Sequence, residues 1–451
     1  MTPATNHSQP RTGRPVSSAL DRRGFLRIAS AGVAASLLPV RWSSAAPAAN
    51  RPRVAAVITE MTYRSHAHVI LENFLEKYYF NGVLTDPGVD VVSIHADQKP
   101  ARDMLDQVAG DYDIPVYKTI DEALCAGGDE LAVDGVLSIG EHGTYPYNEL
   151  GQHMYPRKRF FDEIVAVMKR STRFVPVFND KHLSYRWDWA KEMYDTTQDL
   201  GIPFMAGSSV PLAQRRPPLE LPADAELTEA VSIHGGGVES YDFHALEVLQ
   251  SLVEARQGGE KGVSRVEFLQ GDALLRAADA GRWSRELAEA AMQCERGQES
   301  WTFEDGQGAD QIHGILLEYA DGFRAAAIKI GNSGTRWNFA CRLKDDPGIR
   351  ATAYYVGPWE NRNLFKALSH AIQQHFIHGQ APYPVERTLL VTGILDASMH
   401  SRHENRPLET PHLEFGYQPR DFRVMREMGA SWKIITEDMP QPEGIVQNGV
   451  D

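Results

Sequence analysis

Apolar and polar positions beyond residue 50 alternate between two rhythms. Short apolar runs over residues 54–58, 89–94, 114–117, 133–139 and 174–178 predict buried strands. Between them, residues 68–78, 102–108 and 160–168 carry apolar side chains at helical spacing, and Thr119 is placed to cap a further short helix. A helix over 187–200 and a last strand within 202–211 complete the series. Strands that alternate with helices predict a doubly wound parallel sheet.

The rhythm changes across residues 211–222, where prolines cluster, and this stretch reads as the bridge to a second domain. Beyond it, residues 230–234, 264–269, 312–319, 324–330 and 351–356 predict strands, with Asp321-Gly322 as a tight hairpin turn. Residues 363–376 and 384–400 predict helices, residues 409–415 a closing strand, and residues 441–451 a loose tail. The expected division is residues 51–210 for the first domain and 211–440 for the second.

A chain of 451 residues is too long for one small core, which agrees with that division. The net charge of −14 argues against a nucleic-acid backbone or an anionic membrane as the main partner. Residues 1–49 read as an address. Asp21-Arg22-Arg23-Gly24-Phe25-Leu26 resembles a twin-arginine export signal, and an apolar run over 28–40 leads to small residues at Ala46-Pro47-Ala48 suited to cleavage. The run is too short for a stable membrane span, so a periplasmic or secreted mature protein is expected. Twin-arginine export carries folded proteins and often serves those that take up a cofactor first, which favours a bound cofactor. Cys125, Cys294 and Cys341 lack metal or redox spacing; an oxidising compartment permits one disulfide without demanding it.

Candidate chemistry gathers where the predicted strands stop. The strand at 174–178 runs into Asp180-Lys181-His182, and the carboxyl ends of such strands are where ligands bind. The loop over 139–159 brings Glu141, His142, Tyr145, Tyr147 and His153, a polar and aromatic set that fits either a sugar-sized pocket or an ordered surface loop. The first strand-to-helix turn, Thr59-Glu60-Met61-Thr62-Tyr63-Arg64, has none of the glycines of G-x-G-x-x-G. Arg64 is nevertheless a phosphate candidate there, and Asp97 a candidate for a ribose hydroxyl. Gly235-Gly236-Gly237 let backbone and ligand come close, and His244 follows at the start of a helix whose Leu246, Leu249, Leu252 and Val253 face a core.

In their order and separation these pieces resemble the Gfo/Idh/MocA family of oxidoreductases, over most of residues 51–415. In that family the fifth strand ends in E-K-P, whose lysine assists proton transfer. Lys181 matches it, Asp180 is a shortened Glu, and His182 replaces the Pro. The second signature is G-G-G followed by D-x-G-x-H-x-x-D. His244 and Glu247 take its last His and acid, while Ser240 falls where its first Asp would lie, displacing that role to Glu239 or Asp242.

The resemblance implies an α/β architecture: an N-terminal Rossmann-like doubly wound parallel sheet plus a C-terminal α+β domain with a large open, mostly antiparallel sheet. It implies NAD or NADP in the first domain, a small-molecule carbohydrate or polyol between the two, and a homo-oligomer formed through the C-terminal sheet. It places Thr59, Met61, Arg64, Asp97, Glu141 and Asp180 at the cofactor, and His142, Tyr145, Glu239 and Tyr241 at the substrate. Lys181, His244 and His182 carry catalysis, with His244 as base and Lys181 steadying the alkoxide.

The expected function is an exported NAD(P)-dependent oxidoreductase acting on a sugar, polyol or glycoside hydroxyl. Two alternatives stand beside it: redox-neutral glycoside cleavage with a bound NAD, and a non-catalytic sugar-binding protein that has lost the nucleotide site. Sixteen histidines include His66-x-His68, His375-x-x-His378 and His403-Glu404. None completes a recognised ligand set, and no metal is expected.

Overall fold

Among the expected strands, the one that matters most for the site shifts in position. Pro176 has no amide to give to a ladder, so the strand begins only at Val177 and runs Val177–Asp180, which draws Asn179 and Asp180 into the sheet. The computed structural model describes residues 51–222, 224–295, 302–303 and 312–445; the expected export signal and residues 446–451 of the tail lie outside them.

The first sheet runs Val116–Tyr117, Asp90–Ala96, Arg53–Ile58, Gly135–Ile139, Val177–Asp180, Phe204–Gly207, every pairing parallel. The chain winds outward from Arg53–Ile58 first one way and then the other. This doubly wound order puts a ligand crevice where the strands ending at Ile58 and Ile139 part company. Local signals set the helix ends: Ser65 accepts from His68 N at the start of His66–Leu75, Thr119 and Glu122 form a capping box on Ile120–Leu124, and Trp187–Leu200 stops at Gly201 with φ 64°.

The second sheet has eight strands, in the order Leu408–Glu409, Val263–Gln270, His313–Tyr319, Arg324–Lys329, Leu227–His234, Trp337–Leu343, Asp346–Tyr355, Gln214–Arg216. Leu227–His234 runs parallel to Arg324–Lys329, and the other pairings are antiparallel. The proline-rich bridge is itself part of this sheet, since Gln214–Arg216 pairs with Asp346–Tyr355. The closing strand is shorter than expected. It ends at Glu409, because Pro411 opens a 3₁₀ turn instead of continuing the ladder.

Two helices absent from the sequence reading, Asp272–Asp279 and Arg285–Gln293, lay Leu274, Leu287, Ala291 and Met292 on Val231, Ile233, Ala326 and Ile328 of the sheet. The later helices Asn361–His378 and Val385–Glu404 return to the first half of the chain, where Val385 and Leu389 join Phe160, Val177 and Phe204 in one core. A cut at residue 210 therefore does not separate two independent cores, and the described residues form one compact unit.

The start of the expected loose tail is held down, with Pro442 O and Gly444 O both accepting from Arg362. All three cysteines are free. Among the described residues no helix is long and apolar enough to cross a membrane.

Candidate functional site

Past Asp180 the chain turns sharply at Lys181, whose φ is 60°. The Lys181 ammonium reaches Glu141 Oε1 at 2.6 Å, and the other oxygen of Glu141 accepts from Arg157. Arg157 is fully buried and so must satisfy its remaining nitrogens internally; it does so with Asp180 O at 3.2 Å and His182 Nε2 at 3.1 Å. Burial by itself would raise the Glu141 carboxyl, but Lys181 and then Arg157 hold it well below the usual carboxylate range. Burial, with Arg157 beside it, holds His182 well below the ordinary imidazole value.

Asp180 takes a different partner. Its Oδ2 lies 2.6 Å from His66 Nδ1, at the head of the helix His66–Leu75, and its Oδ1 is buried without a hydrogen bond. His66 N donates to His142 Nδ1 at 3.4 Å, and burial, followed by the neighbouring His66, lowers His142 to about 4.

The second half of the chain supplies the helix Ser240–Val253. Lys181 bridges to Gly207, and the next residue, Ser208, has its Oγ 2.5 Å from His244 Nδ1. Burial, then the Lys181 ammonium and His66, keep the His244 imidazole well below its ordinary value, so it is neutral at pH 7. Glu239 caps this helix and brings a carboxyl oxygen 3.7 Å from His182 Nε2. Burial, and then the Glu141 charge, push Glu239 up to about 7. Tyr241 stacks on Trp337 at 5.1 Å, and both rings meet His244 edge-on. Glu247 is also buried and raised to about 7, with Thr388 donating to it at 2.7 Å.

Several non-glycine residues here, Arg64, His142, Lys181 and Glu239, have positive φ. A side chain in that region costs about 1 kcal/mol or more, and such strain collects at functional sites. The glycines do a different job from the one expected. A Cβ on Gly235 would sit 2.4 Å from Ser333 O, and one on Gly236 only 1.9 Å from the Tyr241 ring. Gly235 and Gly236 make room for the chain itself rather than for a ligand, while a Cβ on Gly237 would meet open space.

The first strand-to-helix turn is closed by the following helix and by distant parts of the chain. Met61 N donates to Asp103 Oδ2 at 2.8 Å, Thr62 N to Ser65 Oγ at 3.2 Å, and Arg64 N to His68 Nδ1 at 2.8 Å. Thr59 Oγ1 donates to Glu141 O and so ties together the strand ends between which the crevice would open. The Glu60 carboxylate is buried in the same turn, accepting from Thr62 Oγ1 at 2.9 Å. The Arg64 guanidinium is spent on Asn361 at 2.9 Å and Glu360 at 2.6 Å. Asp97 accepts from Tyr145 and from Arg159, both at 2.6 Å.

Thr59, Met61, Arg64 and Asp97 are thus not gathered around an open crevice. The Met61, Thr62 and Arg64 amides are taken, and a buried carboxylate there would repel a pyrophosphate. At this turn the residues present do not fit NAD or NADP.

Of the remaining expected residues, Glu141, Asp180, Lys181, His182, His142, Glu239, Tyr241 and His244 do come together. Tyr145 does not, because its hydroxyl is held by Asp97; Tyr147 stacks on His153 at 4.3 Å and His153 meets Tyr155 at a tilt at 4.0 Å, in a separate aromatic array. His66 and His68 diverge, the first to Asp180 and the second to Arg64 N, and His375 Nε2 faces Val177 O at 3.3 Å within the core. A cavity of about 700 Å³ lined by Trp187, Asp396, His400 and Thr410 lies elsewhere and includes neither Lys181 nor His244.

Sequence reasoning gave no role at this site to Arg157, Ser208 and Trp337, nor to His66, which it named only in a His-x-His pair. Of these only His66 left a signal, its position at the head of the first helix.

No family model matches this sequence, and no curated protein matches it. Among solved structures the chain is similar to GenD2 from gentamicin A biosynthesis in complex with NAD, at 14% identity over 83% of this chain and 99% of that one, with a TM-score of 0.52. It is also similar to a probable dehydrogenase from Thermotoga maritima, at 10% identity over 80% and 99% of the two chains, with a TM-score of 0.50. At such identities the likeness establishes the fold alone, an α/β fold with a parallel N-terminal sheet and a mixed, mostly antiparallel second sheet.

Proposed function

We propose that this protein is an exported enzyme that acts on a hydroxyl of a sugar, polyol or glycoside by proton transfer at the Lys181–His244 pair. The observation that carries the reading is that the Lys181 backbone bridges Gly207 while the next residue, Ser208, holds His244 from the other half of the chain, near enough for the Lys181 charge to act on the imidazole. With Nδ1–H donating to Ser208 Oγ, His244 Nε2 presents a lone pair to a substrate hydroxyl. The Lys181 ammonium, aimed by Glu141, steadies the alkoxide that develops.

The likeness to GenD2, solved with NAD, and to a probable dehydrogenase supports the oxidoreductase class. The occupied amides of the first turn oppose a nicotinamide cofactor, so no hydride step is assigned.

The test is a panel of sugars, polyols and glycosides, together with a mass spectrum of whatever leaves the denatured protein. Turnover of a panel member is expected only with a hydride acceptor, either one the protein retains or one added to the assay, and His244→Gln is expected to lower kcat by about 100-fold or more. Turnover that survives His244→Gln intact overturns the assignment, and NAD or NADP in the released fraction would restore nicotinamide-dependent oxidation. The closed turn also favours a second reading, a sugar-binding protein without catalysis, which predicts saturable binding across the panel and no product. Export is tested by replacing Arg22 and Arg23 with Lys, which should retain the protein in the cytoplasm; unchanged export would remove this part of the proposal.

A further inference from the structure

We propose that His234, Asp242 and His313 form a binding site for a divalent first-row transition-metal ion, distinct from the Lys181–His244 pair and independent of the function proposed above. Three neighbouring strands build one side of it. Leu227–His234 and His313–Tyr319 flank Arg324–Lys329, and the register sets both His234 and His313 opposite Lys329, so the two histidines stand in one row across the sheet. The helix Ser240–Val253 supplies Asp242 from above that row.

Asp242 Oδ1 lies 2.7 Å from His313 Nε2 and 3.0 Å from His234 Nε2, and the three donor atoms all fall within 4.8 Å of one another. Ligands bonded to one such ion at its usual bond lengths stand roughly 2.9–3.4 Å apart, close to the spacing found.

The second observation is His234 itself. The residue is completely buried, its Nδ1 has no hydrogen-bond partner, and its Nε2 has only Asp242 Oδ1, an oxygen already engaged by His313. An imidazole with one nitrogen bare and the other sharing a single carboxylate oxygen keeps part of the cost of lost hydration, which a metal bond would offset.

The surroundings fit the same purpose. Asp242 Oδ2 accepts from Glu239 N at 2.7 Å, which fixes the carboxylate and leaves Oδ1 for an ion. The His313 ring stacks on Phe268 at 5.1 Å, and the His234 ring lies parallel to Trp337 at 6.4 Å. Lys329, which stands between the histidines, carries its ammonium to Asn332 Oδ1 at 3.0 Å. Two imidazoles with one carboxylate suit zinc, iron or cobalt better than the all-oxygen preference of calcium or magnesium.

The experiment uses the purified chain without a histidine tag, titrated with zinc or cobalt(II) after chelator treatment. One ion per chain is expected. His234→Gln and His313→Gln should each weaken binding by at least about 100-fold while circular dichroism stays unchanged. A wild-type chain that binds no ion, or variants that bind as the wild type does, overturns the site. Should both variants fail to fold, the X-ray absorption fine structure of cobalt bound to the wild type decides: two imidazole ligands support the site, and none refutes it.

Discussion

Lys181→Met is expected to lower turnover of the substrate found in the panel by about 100-fold or more and to destabilise the fold by about 3 kcal/mol. Both effects come from one arrangement. Glu141 is buried and is neutralised by Lys181 and Arg157 together, so removing the lysine leaves a buried carboxylate with one cation instead of two. Breaking a buried pair from one side costs more than the pair contributes, because the survivor has lost its water.

A second variant separates charge from backbone strain. Lys181 has a φ of 60°, so Lys181→Gly should be about 1 kcal/mol more stable than Lys181→Met, yet equally inactive. Urea unfolding alongside kcat measures both quantities. A Met variant with wild-type turnover would remove Lys181 from the chemistry, and one with wild-type stability would show that Arg157 alone satisfies Glu141.

Glu239→Gln is the second large effect, and it appears as a change in pH dependence. Burial, then the Glu141 charge, raise Glu239 from 4.5 to about 7. Between those values the folded protein holds a proton that the unfolded chain has released. The contribution of Glu239 to stability is therefore present below about pH 4.5 and is lost as the pH rises through 7. A glutamine does not titrate, and its carbonyl can still accept the helix amide that Glu239 caps.

The variant should therefore gain on the wild type by up to about 3 kcal/mol across this window. Histidines held low by burial, such as His142 and His244, contribute with the opposite sign: their stabilisation is present above pH 6.5 and falls away at lower pH. They are common to both proteins and cancel in the difference. Denaturant midpoints at pH 4.5, 6 and 8 are the measurement, and a constant gap between the two proteins across that range would refute the buried, protonated Glu239.

Strand and helix signals are local, and they carried well. The six-stranded parallel sheet, the Thr119 cap and the stop at Gly201 follow from spacing, capping chemistry and one left-handed glycine. Where a local signal was weak the reading fell short. Trp337–Leu343 was missed, the two-residue strand Leu408–Glu409 was overextended, and the proline stretch hid Gln214–Arg216. Motif order placed Lys181 and His244 as partners, because each stands at a recognisable element end.

The sequence by itself determined the alternation of elements, the acid-base residues at the strand end and the histidine at the head of the later helix. These depend on neighbours within a few positions, and spacing encodes them. Only the tertiary structure decided which donors and acceptors remain free. The first turn is closed by Asp103 and Glu141, from 42 and 82 residues away, and Asp242 meets His313 across 71. Hydrogen-bond satisfaction belongs to the folded chain as a whole, and a pattern read along the backbone cannot hold it.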